Sequence, residues 1–115
     1  MNDDDDGMSM SPKRVGPPQV PPVQLDGLEI RALHWGRDAG LDQNGGYIEA
    51  YAAGATQPSW RLCVYSIAYD QQMEEDVQDC FIKTLSLTPE GLLRVTDERA
   101  REYLVNIESR HVQAL

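Results

Sequence analysis

Between Cys80 and Ile107 two turn signals separate three runs of strand-forming residues, CFIKTLSLT, LLRVTD and REYLVNI. No other part of the chain restricts the fold so tightly. Successive side chains of a strand point to opposite sides of a sheet. Strict alternation therefore puts Phe81, Lys83, Leu85 and Leu87 on one face and Cys80, Ile82, Thr84, Ser86 and Thr88 on the other. Pro89 presets the first corner of a turn, and Gly91 supplies the positive φ that closes a short loop before residues 92–96 run back. The third run sets Tyr103, Val105 and Ile107 against Glu102, Leu104 and Asn106. The spacing predicts a three-stranded antiparallel meander.

Upstream, residues 28–35 alternate Leu28, Ile30 and Ala32 against Glu29, Arg31 and Leu33, which marks a first strand with one buried face. Residues 36–46, GRDAGLDQNGG, form a loop whose Asn44, Gly45 and Gly46 suit a tight reversal before Tyr47. The loop exceeds the length of an ordinary hairpin connection, which makes it a candidate binding loop, but it lacks the spacing of a phosphate-cradling motif. Residues 47–53 read as a second strand. Residues 60–69, WRLCVYSIAY, carry apolar groups on both faces and read as a third, central strand. The acidic run over 70–79, DQQMEEDVQD, breaks the two-residue period. It predicts a short helix capped by Asp70, with Met73 and Val77 toward the sheet and Glu74, Glu75 and Asp76 in water. Residues 108–111 form a turn, and 112–115 return briefly beside the preceding strand. The expected fold is mainly β, a small antiparallel meander or open barrel of five to six strands with one short helix.

Residues 1–24 hold five of the seven prolines, four consecutive aspartates and no aromatic residue. Such a composition cannot bury enough apolar surface to offset the entropy of ordering, so a disordered Pro/Asp-rich tail over 1–24 precedes a β-rich domain over 25–115. The PPQVPP run favours a polyproline II linker. Nineteen acidic against ten basic residues give a net charge of −9, which disfavours nucleic acid and anionic membranes and favours a basic protein partner. Cys63 and Cys80 both fall inside expected strands and read as small buried hydrophobes, not as a disulfide framework. No apolar run reaches the length of a membrane span, and MNDDDDGMSM lacks the basic start and apolar core of a secretory signal. A cytoplasmic protein is the expectation.

Residues 46–62, GYIEAYAAGATQPSWRL, resemble a segment of the quinoprotein-type β-propeller repeat. Ala50, Ala53 and Trp60 fall where that repeat has alanine, alanine and tryptophan. Ala52 replaces its aspartate, and Ala55 and Thr56 replace its Thr-Gly. Residues 89–95, PEGLLRV, are similar to the hairpin of such a blade, and 103–107 to its outer strand. The resemblance implies blade-like sheets and carries over no quinone-binding residue. A chain of this length closes no propeller unless several copies assemble.

The function these features predict is that of a non-enzymatic soluble protein-binding module, such as an acidic inhibitor or immunity-type partner of a basic protein. Its partner-binding residues would be Asp70, Glu74, Glu75, Asp76 and Asp79, since complementary charge speeds encounter and selects partners. No cofactor and no metal is expected, because the acidic run lacks the alternating, glycine-closed pattern of a calcium loop. One alternative is a ligand-binding or assembly module that uses the 36–46 loop, with Trp35, Tyr47 and Tyr51 as stacking faces and a second copy completing the site. Another is an enzyme whose site the fold alone assembles, with His34 or His111 as base and Cys63 or Cys80 as nucleophile.

Overall fold

The computed structural model describes residues 16–69, 72 and 78–115. These residues form eight strands in two four-stranded antiparallel sheets, each meandering in chain order. The first sheet contains β1 (Val23–Leu25), β2 (Leu28–Leu33), β3 (Tyr47–Ala52) and β4 (Trp60–Cys63). The second contains β5 (Ile82–Leu87), β6 (Leu93–Asp97), β7 (Glu102–Val105) and β8 (Val112–Ala114). The meander read from residue 80 onward is the run β5 to β7. The expectation of five to six strands in one meander or open barrel is corrected to eight strands in two open sheets.

Part of that difference lies at the start of the domain. Val23 pairs with Ile30, and Leu25 pairs with Leu28, so β1 opens before residue 25. Between them Asp26 and Gly27 have φ of 54° and 78°, the double positive value of a two-residue type I′ hairpin loop. Pro21 and Pro22 precede this strand without interrupting it, which is where a proline is compatible with a sheet. Val20 and Val23 pack on the core, so residues just upstream of 25 contact the sheet.

The run over 60–69 is a strand only as far as Cys63, and β4 is an edge strand and not a central one. Its apolar character on both faces has another cause. Trp60 and Leu62 pack on the core, after which the chain leaves the sheet and buries the consecutive residues Val64 and Tyr65 as it crosses toward the second sheet. Alternation fails again in β5. Ile82 lies opposite Asp97 and Thr84 opposite Thr96, so the ladder shifts at Lys83. The extra residue brings Ile82 and Leu85, expected on opposite faces, into the same core while Lys83 and Thr84 stay exposed.

The apolar faces of both sheets enclose a single core. Ile30, Ala50 and Trp60 form one cross-strand row of the first sheet and Ala32, Ile48 and Leu62 another. Leu85, Val95 and Tyr103 form a row of the second, and Leu93, Val105 and Val112 the next. Burying each large apolar side chain of this kind stabilises the fold by about 1.5–3 kcal/mol. The Tyr65 ring stacks on Tyr103 with centroids 5.1 Å apart, and the Arg110 guanidinium lies 4.5 Å from the Trp60 ring, so contacts join the two layers at more than one level. The helix expected over 70–79 falls mostly outside the described residues. Residues Gly36–Ala39 form a 3-10 turn, ended by Gly40 at φ 85°.

Candidate functional site

Tyr69 precedes the acidic run and Asp79 ends it, and these two residues meet. The Tyr69 hydroxyl donates to Asp79 Oδ1 at 2.6 Å, while Asn44 Nδ2 donates to Oδ2 at 3.2 Å. Burial first, and then the Asp79 carboxylate, push the Tyr69 hydroxyl above the ordinary tyrosine range, so it remains a donor at neutral pH. The Arg37 guanidinium lies 5.1 Å from the Tyr69 ring. The two ends of the acidic run are therefore tied together.

The loop over 36–46 supplies Asn44 to this contact and is itself docked. Gln43 is 5% exposed: its amide nitrogen donates to the carbonyls of Gly45 and Tyr65, both at 2.8 Å, and its oxygen accepts from the Ile67 amide at 2.9 Å. A Cβ on Gly45 would stand 2.5 Å from the Cys80 carbonyl oxygen, and one on Gly46, at φ 92°, would stand 2.7 Å from that of Tyr65. Both glycines serve close backbone contact, which a sequence reading of the loop as a free binding element could not reveal.

Beyond Asp79, Phe81 and Glu98 exchange hydrogen bonds, the Glu98 amide donating to the Phe81 carbonyl and the Phe81 amide to Glu98 Oε1, each at 3.0 Å. The adjoining β6–β7 turn is built on Asp97, which is fully buried. Its Oδ1 accepts from the amides of Arg99 and Arg101, and its Oδ2 from Arg101 Nε at 2.8 Å and the Tyr103 hydroxyl at 3.0 Å. Burial raises the Asp97 pKa, but these four donors outweigh it and hold the carboxyl below its ordinary value.

Of the predicted partner-binding residues, Asp70, Glu74, Glu75 and Asp76 lie outside the described residues. Asp79 is 7% exposed and accepts hydrogen bonds from Tyr69 and Asn44. Tyr69, Asn44 and Gln43, which make these contacts and dock the loop, carry no sequence signal beyond their proximity to a glycine-rich or acidic run. Compared with known proteins, the chain matches no family model, no curated protein and no solved structure.

The four residues expected as base or nucleophile have separate surroundings. His34 Nε2 lies 2.8 Å from the Pro18 carbonyl, which can only accept, so Nε2 carries the proton and Nδ1 is a buried acceptor with no partner among the described residues. Burial lowers the His34 pKa against the opposing effects of that bond and the Glu98 charge. Cys63 Sγ is exposed and bonds to the Tyr65 carbonyl, whereas Cys80 is buried with Arg101 Nη2 3.8 Å from its sulfur. His111 is exposed. No nucleophile–base hydrogen bond links these four side chains. Among the described residues no group of three or more His, Cys, Asp or Glu could hold a metal ion, and no helix is long and apolar enough to cross a membrane.

Proposed function

We propose that the protein is a non-enzymatic binding module that presents its acidic run over 70–79 to a basic protein partner. The observation that supports this reading is the Tyr69–Asp79 hydrogen bond, which ties the two ends of the run together. Five carboxylates and no base lie within 70–79, and with the surplus of two at the N-terminus they account for seven of the nine excess negative charges. A segment tied at its ends loses less conformational freedom when a partner binds it, and a concentrated charge accelerates encounter.

The test combines two variants. Glu74→Gln, Glu75→Gln and Asp76→Gln together remove charge, and should slow association and flatten its salt dependence with any partner captured from the source cell. Tyr69→Phe leaves the charge and unties the ends of the run, and should speed dissociation several-fold. Equal recovery of the same proteins by wild type and the triple variant would return these carboxylates to a merely solubilising role.

A second reading has its own observation. A cleft of about 450 Å³ is lined by Gly40, Leu41, Asp42 and Gln43 of the loop together with Tyr47, Cys63 and Ser66. This is the place where the loop would contribute to a small-molecule site. Protection of the exposed Cys63 thiol from alkylation by a bound compound would favour it.

A further inference from the structure

The outward face of the first sheet carries two polar cross-strand rows, Gln24–Glu29–Tyr51 and Arg31–Glu49–Arg61. In the second row Glu49 is only 6% exposed, and its oxygens accept from Arg61 Nε at 2.9 Å, Arg61 Nη2 at 2.6 Å and the Tyr51 hydroxyl at 3.2 Å. Arg61 is consumed by that pair. Arg31 is held differently. Its guanidinium carbon lies 4.0 Å over the Tyr51 ring, and its Nε donates to Glu29, which also accepts from Gln24. Its two terminal amino groups have no hydrogen-bond partner among the described residues, and the side chain is 48% exposed. Arg31 lines a cleft of about 400 Å³ whose other walls are Gln24, Gly27, Glu29, Tyr51 and the turn over 52–55.

We propose that this cleft binds a monocarboxylate, its two oxygens taken by the Nη1–Nη2 edge of Arg31 and its apolar body resting on Ala52, Ala53 and Ala55. A guanidinium edge matches a planar carboxylate bidentately. Ring stacking and the Glu29 bond set its orientation before binding, which reduces the ordering cost. Glu29 already balances the Arg31 charge, so a dianion would meet more repulsion than a single carboxylate does. The small alanine side chains beside the fork favour an apolar body over a second polar group. This site lies apart from the acidic run and does not depend on it.

The full chain, labelled with ¹⁵N, is titrated with benzoate, with its neutral isostere benzamide, and with inorganic phosphate. Benzoate should give saturable amide shifts at Gly27, Arg31 and Gly54, and benzamide and phosphate should not. Arg31→Lys keeps the charge and loses the fork, and should weaken benzoate about tenfold. Glu29→Gln removes the competing acceptor and should tighten it, which keeps the test decisive if the lysine variant fails to fold. An N-acetylated tripeptide with a free C-terminus, compared with its C-terminal amide, distinguishes a chain terminus from a free organic acid. Shifts with the free-terminus peptide assign the former, and shifts with benzoate alone the latter. Equal shifts from benzoate and benzamide, wild-type affinity in Arg31→Lys, weaker binding in Glu29→Gln, or no response to either carboxylate source would each overturn the proposal.

Discussion

Two side chains make the stability of this protein depend on acid. Asp97 is fully buried, and four donors hold its carboxyl below the ordinary value. An unfolded chain protonates aspartate near pKa ~3.9. The stabilisation from Asp97 is therefore complete above about pH 4 and is lost as pH falls through its lower folded value. The lowered His34 pKa acts in the same direction at higher pH: its contribution is full above the unfolded value of ~6.5 and declines below it. Urea midpoints should fall in two stages on acidification. His34→Gln, which can still donate to Pro18, should remove the upper stage, and Asp97→Asn the lower. Asp97→Ala strands the Tyr103 hydroxyl and two amides, and should cost roughly 2–4 kcal/mol at neutral pH.

The elements owe their positions to turns whose glycines do different work. Gly27 closes the β1–β2 hairpin at φ 78° with open space where a Cβ would stand, so Gly27→Ala pays only for the left-handed backbone, about 1–2 kcal/mol. Gly46 adds to its φ of 92° a close approach to the Tyr65 carbonyl and the Gln43 side chain. Gly46→Ala should cost about 3 kcal/mol or more and loosen the docked loop. Equilibrium denaturation of the two variants, with hydrogen exchange at the Ile67 amide as the local probe, separates strain alone from strain plus collision. Equal losses would mean that the loop moves aside readily.

For the whole molecule, two sheets sharing one core place the boundary of the folded unit upstream of Leu25. Removing residues 1–15 should leave the melting temperature unchanged, since a composition this polar buries too little apolar surface to offset the entropy of ordering. Removing residues 1–24 takes Val20 and most of β1 with it and should destabilise the protein by roughly 2–4 kcal/mol. Equal melting temperatures for both truncations would show β1 to be dispensable.

Local chemistry is what the sequence alone determined: alternation and turn residues specify the β5–β7 hairpins, and the Asp26-Gly27 pair specifies one that the neighbouring prolines obscured. The bulge at Lys83 was not legible, because one inserted residue reverses the facing of a strand without changing its composition. Nor could sequence separate strand from crossing segment within 60–69, since both bury apolar side chains. Tertiary structure alone decided that the chain forms two sheets, that Gln43 pins the loop, and that Tyr69 meets Asp79. The reason is physical: each of these depends on contacts between residues distant along the chain, which periodicity and local propensity do not encode.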